Sequence, residues 1–113
     1  MSTLRQAREL ALALPEEAEA DHHGITSFRV RGKIFATVPD ARHIRIMVDQ
    51  NEIRGAVAEN PTVCQEFYRG KRLGCVVVAL KPASSNLLRE LLTEAWLRKA
   101  PHSLAARFVS QQH

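Results

Sequence analysis

The sequence is short of the features that mark membrane, secreted and disulfide-stabilised proteins. Its two cysteines, Cys64 and Cys75, are too few for a disulfide framework and lack the spacing of metal ligands. No apolar run approaches the length that spans a bilayer. Arg5, Arg8 and Glu9 interrupt the N-terminal stretch, which therefore does not read as a secretory signal. These absences predict a cytoplasmic protein with no membrane segment, metal or other cofactor.

Motifs of enzymes are missing as well. The serines, histidines and acidic residues are scattered, without a nucleophile motif or a glycine-rich phosphate loop. Asp49 and Glu52 have the spacing of a helix cap, and neither a nucleophile nor a metal ligand accompanies them. We therefore predict that the protein is not an enzyme.

The composition is that of one ordinary globular domain. A chain of 113 residues, 45% of them hydrophobic, can bury a core without disulfides, so we expect a single domain over residues 1–113. The net charge of +4 favours polyanionic partners. Many basic proteins bind no polyanion, so charge alone does not assign a function.

Two predicted β-hairpins with basic tips are the most specific feature. In residues 27–38, two β-prone runs meet at RGK, positions 31–33. A second basic turn, RGKR at positions 69–72, joins the β-prone residues 63–68 and 73–80. We refer to positions 31–33 as the first tip and to positions 69–72 as the second tip.

The register of the first hairpin depends on the length of its loop. A three-residue loop pairs Val30 with Ile34 and Phe28 with Ala36, whereas a two-residue loop places Phe28 opposite Phe35. A slip of one residue exchanges the two faces of a strand. The three-residue loop gathers a uniformly apolar face and leaves Phe35 on the other one. The pattern therefore favours this loop, or a bulge with the same effect.

The second hairpin raises the question of the two thiols. With Arg69-Gly70 as a two-residue loop, Cys64 falls opposite Cys75. Cross-strand disulfides are strained and the inferred compartment is reducing, so we expect two packed thiols. The run LGCVVVAL, positions 73–80, is apolar without alternation, which predicts a central strand covered on both faces.

The remaining segments predict helices around the sheet. Apolar periodicity indicates helices over residues 3–14, 49–60, 84–99 and 102–111, and residues 43–48 alternate as a strand. Residues 16–20 are too polar to assign, although a sheet-edge strand would fit. The expected fold is α+β, with an antiparallel sheet of about five strands flanked by N-terminal and C-terminal helices.

Four polar or aromatic side chains are candidate accessory contacts. His22 and His23 are adjacent and point to opposite sides of an extended chain, so they cannot chelate a metal as a pair. They form a polar loop or, when protonated, reach a phosphate. Arg45 lies on the strand over residues 43–48. Tyr68, beside the second tip, is either a partly buried strand residue or a platform on which a base stacks.

Three segments carry a resemblance to a known family. FRVRGKIFA, FYRGKRLGCVVVAL and LLRELLTEAWLRKAPHSLAARF resemble the MmcQ/YjbR-like family over nearly the whole chain. The resemblance implies an α+β fold similar to secretion chaperones and a DNA-binding role through two hairpin wings. Where the family often carries Gly-Trp, this chain has Gly74-Cys75. The positions that match the wings are Arg29, Arg31 and Lys33 on the first and Arg69, Lys71 and Arg72 on the second.

Three hypotheses for the tips remain open at the level of sequence. Basic tips can contact DNA phosphates on either side of a groove, with release of counterions. Alternatively, charged tips only keep edge strands unpaired. A third hypothesis is a chaperone-like adaptor that binds a protein partner through its sheet surface and binds no nucleic acid. The sequence does not determine whether the two tips share one face of the sheet, nor the oligomeric state.

Overall fold

A computed structural model describes residues 2–111 and shows an antiparallel sheet with helices packed on one face. The elements in chain order are α1 (Leu4–Leu12), β1 (Glu17–His22), β2 (Ile25–Val30), β3 (Lys33–Asp40), β4 (His43–Ile46), α2 (Gln50–Glu59), β5 (Cys64–Arg69), β6 (Arg72–Ala79), α3 (Ser85–Lys99) and α4 (His102–Gln111). The α+β class is confirmed, and within the described residues the longest helix is α3. None of these helices is long and apolar enough to cross a bilayer.

The sheet has six strands in the order β1-β2-β3-β4-β6-β5, one more than we expected. The additional strand is β1, at one edge. Its polar sequence EAEADH fits that place, because an edge strand has one neighbour and its charges discourage pairing with another chain.

The strand directions place both basic tips at the same end of the sheet. Every neighbouring pair is antiparallel, so β2 and β5 run in the same direction. The turns that follow these two strands, Arg31-Gly32 and Gly70-Lys71, therefore lie at one end, with β3, β4 and β6 between the two hairpins' outer strands.

The hydrophobic core lies between the sheet and the helices. Alternation along β4 buries Ile44 and Ile46, as predicted, while Arg45 points to the other face. Trp96 of α3 is fully buried, and its indole Nε1 donates a hydrogen bond of 2.9 Å to the carbonyl of Pro15. This bond connects the segment between α1 and β1 to α3. The face of the sheet away from this core, which we call the outer face, carries the alternate residues of each strand, such as Thr37 and its cross-strand neighbour Arg45.

Of the two alternatives expected for the first hairpin, the structure has the bulge and not the three-residue loop, and the pairing next to the turn differs from the expected one. Its loop has two residues, Arg31-Gly32, and a bulge inside β3 leaves Phe35 without a cross-strand partner. The expected pairing of Phe28 with Ala36 is confirmed. The pairing of Val30 with Ile34 is wrong, since Ile34 faces Arg29 instead. Phe35 is fully buried rather than on the outer face, because the bulge shifts the alternation by one residue.

The second hairpin also contains a bulge. Its two-residue loop is Gly70-Lys71, and Gly74 is the residue without a cross-strand partner. Cys64 consequently faces Val78, so the expected pairing of the two cysteines is wrong. Cys64 belongs to the core, whereas Cys75 is buried on the outer face and lies outside the core cluster. On the core face of β6, Val76 and Val78 are fully buried, whereas Val77 and Ala79 on the other face are only partly buried.

The helix α1 and the strand β4 each end two residues before the predicted boundary. The capping box of Thr3 and Gln6 is present, but α1 ends at Leu12, two residues before the expected end. Similarly, β4 ends at Ile46 because Val48 already belongs to the connection into α2, which Asp49 caps. The alternation of buried residues that predicted this strand continues to Val48 even though the ladder does not.

Candidate functional site

A cavity of about 390 Å³ opens on the outer face, towards the end of the sheet that carries the tips. Residues from β3, β4, β5, β6 and the C-terminal end of α3 line it, and no carboxylate is among those lining residues. Ile34, Met47 and Leu73 contribute apolar surface. Its cationic side chains are Arg45, Arg69, Arg72, Arg98 and Lys99.

Two of these cations are held in place by neighbouring groups. The guanidinium carbon of Arg45 lies 4.4 Å from the ring centroid of Phe67, a cation–π contact between β4 and β5. Arg98 donates hydrogen bonds from Nη1 to the carbonyls of Met47 (3.3 Å) and Val48 (3.2 Å). These contacts reduce the conformational freedom that either side chain would lose on binding a ligand.

The charge of Lys99 interacts with cations of both tips. Burial lowers the pKa of Lys99, and the positive charges of Arg98, Lys33 and Arg72 lower it further. Lys33 belongs to the first tip and Arg72 to the second, so the end of α3 lies within range of both. We call Lys33, Arg69, Lys71, Arg72 and Lys99 the tip cluster. Among residues 2–111, none of its members forms an ion pair within 4.0 Å.

Arg31 differs from the tip cluster because a carboxylate neutralises it. Its Nε and Nη2 donate hydrogen bonds of 2.7 and 3.0 Å to the two carboxylate oxygens of Glu16. The hydrogen bond from Arg31 lowers the pKa of Glu16 and raises that of Arg31, so both groups stay charged near neutrality. Arg29 also has intramolecular partners, Ser27 Oγ at 3.1 Å and the carbonyl of Asp21 at 3.3 Å.

The four accessory candidates, His22, His23, Arg45 and Tyr68, differ in their surroundings and exposure. His22 lines the cavity, and its pKa is lowered by burial and then by His23 and the cations Arg29 and Arg69, which favours the neutral ring at neutral pH. His23 is exposed in the turn after β1. Tyr68 is 48% exposed, and its hydroxyl donates to Glu66 over a long 3.5 Å. Of these side chains, only His22 joins Arg45 in the cavity.

The chain matches a family model described as YjbR over residues 12–98, which is more than half of its length. The chain belongs to the YjbR family. The fold of this YjbR protein is similar to the crystal structure of the Deinococcus radiodurans protein DR2400, which carries a DUF419 domain. The TM-score is 0.74 at 21% identity, and the likeness covers 87% of this chain and 78% of the other. No curated protein matches this chain.

Three side chains at the site of this YjbR protein were not predicted from the sequence: Thr37, Arg98 and Lys99. Thr37 reads as an ordinary strand residue, and Arg98 and Lys99 read as helix-end cations that complement the dipole of α3. The only feature of the sequence that distinguishes Arg98 and Lys99 is their place at the end of a predicted helix. The position of that helix end beside both tips follows from packing. Within residues 2–111, no group of three or more histidine, cysteine or acidic side chains could hold a metal ion.

Proposed function

We propose that this YjbR protein binds duplex DNA through the tip cluster, mainly by contacts to phosphates. The observation that carries the proposal is the set of five cations at one end of the sheet, contributed by both hairpins and by α3. They lack carboxylate partners among residues 2–111. Unpaired lysines and arginines are the groups that bind phosphates and release counterions from DNA.

The distribution of charge supports an approach from this end of the molecule. On the helical side, Glu94 has a pKa raised by burial and by the negative charges of Glu52, Asp49 and Glu90. Acidic groups therefore gather between α2 and α3, while the tip cluster and the cavity are cationic. A polyanion is repelled by the first region and attracted by the second.

The contacts that we propose come from both hairpins in unequal measure. Lys33 serves on the first tip, and Arg69, Lys71 and Arg72 serve on the second, with Lys99 between them. Arg31 contributes less because its guanidinium is paired with the carboxylate of Glu16, and Arg29 contributes less because it lies within β2 rather than at the tip. Such contacts position a protein on DNA without reading its sequence.

The test is DNA affinity across a salt series, measured by fluorescence anisotropy with a labelled duplex. The site variant combines Lys33→Gln, Arg69→Gln, Lys71→Gln and Arg72→Gln. Each lost phosphate contact makes the slope of log Kobs against log salt shallower by about 0.9, so four contacts amount to about 3.6. Circular dichroism checks that both this variant and its control are folded.

The matched control removes the same charge elsewhere, through Arg5→Gln, Arg8→Gln, Arg54→Gln and Arg89→Gln. These arginines lie on α1, α2 and α3 away from the tip cluster, and we expect the slope of the wild-type protein to be retained. An equal change of slope in both variants would show that DNA binding depends only on the overall positive charge of the protein. An absence of binding by the wild-type protein at low salt would reject the proposal.

A protein-binding adaptor remains the alternative and makes a different prediction. It requires an exposed apolar patch or an open sheet edge. The large apolar side chains that are exposed, Leu12, Tyr68 and Val109, lie on three different elements. Both edge strands, β1 and β5, carry charged residues that discourage strand addition. We therefore favour DNA as the partner.

A further inference from the structure

The outer-face cavity is lined by a polar side chain, Thr37, that the proposed contacts to DNA do not use. Thr37 lies at the centre of the outer face, opposite Ser27 on one side and Arg45 on the other. The residue is 3% exposed, and its buried Oγ1 has no hydrogen-bond partner among residues 2–111. A buried hydroxyl without a partner is costly, so this position is suited to a ligand that supplies one.

We propose that this cavity is a binding site for a small phosphorylated organic molecule, beside the DNA contacts at the tips, with which it shares Arg69, Arg72 and Lys99. Its volume of about 390 Å³ lies in the range of small-molecule sites. The inference depends on Thr37, Arg45 and Phe67, which line the cavity and do not belong to the tip cluster. It does not depend on whether the exposed tips bind DNA.

The positive charge of the cavity lining favours a ligand that carries an anionic group. Five cationic side chains converge on the cavity and no carboxylate lines it. A phosphomonoester brings about −1.5 to −2 charges at neutral pH and three strong acceptor oxygens. Arginine forks bind such oxygens in pairs. Arg45, held over Phe67, and Arg98, held by two backbone carbonyls, are already ordered for this contact.

The apolar lining accounts for the rest of the ligand. Ile34, Met47 and Leu73 line the same cavity, and Phe67 and Cys75 add to it. Inorganic phosphate leaves this surface uncovered, whereas an organic group attached to the phosphate covers it. Burial of that group adds binding energy in proportion to its apolar area. We therefore expect phosphomonoesters to bind more tightly than inorganic phosphate.

The experiment follows the methyl signal of Met47 by nuclear magnetic resonance. Met47 lines the cavity and is one of two methionines in the sequence, so labelling of methionine methyl groups isolates its signal. The probes are adenosine monophosphate, glucose 6-phosphate and phenyl phosphate. Adenosine, glucose and inorganic phosphate are the controls. We expect a saturable shift of the Met47 signal with at least one phosphomonoester and roughly tenfold or more weaker binding of its two parts.

Two variants separate this site from the tips. Arg45→Gln removes a cavity cation that lies outside the tip cluster, and we expect affinity for the phosphomonoester to fall roughly tenfold or more. Lys71→Gln removes an exposed tip cation that does not line the cavity, and we expect it to leave this affinity unchanged. Thr37→Val keeps the shape of the side chain and deletes the hydroxyl. It should weaken binding without loss of folding.

Two results would overturn the inference. One is the absence of any saturable Met47 shift with all three phosphomonoesters at millimolar concentration. The other is equal weakening by Arg45→Gln and Lys71→Gln, which would indicate a diffuse electrostatic effect. Failure here is distinguishable from failure of DNA binding, because Lys71→Gln should alter the DNA salt slope while leaving the Met47 titration intact.

Discussion

The two basic tips contain the same three letters, RGK, yet place them differently. In the first tip, Arg31 and Gly32 form the turn and both have positive φ, of 49° and 82°. In the second tip, Arg69 is the last strand residue and the turn is Gly70-Lys71, with a positive φ only at Gly70. The motif is therefore offset by one residue between two hairpins that share a two-residue loop and an adjacent bulge.

This offset changes what each arginine can do. Arg31, at the corner of its turn, reaches across to Glu16, the residue before β1, and forms a bidentate ion pair. Arg69 projects from the outer face into the wall of the cavity, where no carboxylate faces it. Two basic turns that look equivalent in the sequence thus differ in the charge that they offer a ligand.

The largest expected effect is an unequal loss of DNA binding when one tip at a time is neutralised. Arg69→Gln with Arg72→Gln removes two unpaired cations, so the salt slope should become shallower by about 1.8. Arg31→Gln with Lys33→Gln removes equal charge but only one unpaired cation, and about 0.9 is expected. Fluorescence anisotropy across a salt series measures both. Identical slopes for the two variants would show that the Glu16 ion pair is irrelevant to binding.

An effect of intermediate size concerns the backbone of the second turn. Gly70 has φ +62°, so Gly70→Ala places a side chain in the left-handed region and should cost about 1 kcal/mol. Gly55, inside α2, has open space around it, and Gly55→Ala should stabilise the protein by roughly 0.5–1 kcal/mol. Urea unfolding would give both free energies. A loss of stability in both variants would contradict the different roles of these glycines.

The smallest expected effect is a pH-dependent change in stability from the Glu16 ion pair. Arg31 lowers the pKa of Glu16 below 4.5, so the pair stabilises the fold above that pH. The stabilisation is lost as the pH falls through the lowered pKa. Wild type should therefore melt slightly above Glu16→Gln at neutral pH, and the difference should vanish in acid. A difference in melting temperature that grows on acidification would contradict this assignment of Glu16.

Local sequence patterns were sufficient to predict most elements. The Thr3 and Gln6 capping box, the alternation around Ile44 and the helix that buries Trp96 each reflect contacts within a few residues of the chain. The edge strand β1 was left unassigned because its charges satisfy no apolar period. Its place in the sheet follows from backbone pairing with β2, which side-chain patterns do not record.

The two bulges account for the errors of register. A bulge inside a strand and a longer loop at its end both restore the same apolar face, so the alternation of side chains cannot distinguish them. Phe35 and Gly74 therefore could not be recognised as the residues without partners. The mistaken pairing of Cys64 with Cys75 has the same origin, since both the loop position and the bulge shift the register.

By itself, the sequence determined the order of the elements, their apolar faces and the positive charge of both tips, because these properties are local. Only the tertiary structure decided which of those charges is free. Glu16 and Arg31 are fifteen positions apart, and Lys33, Arg72 and Lys99 come from three elements. An ion pair or a cavity depends on distances between residues remote in the chain, and those distances exist only once the sheet has assembled.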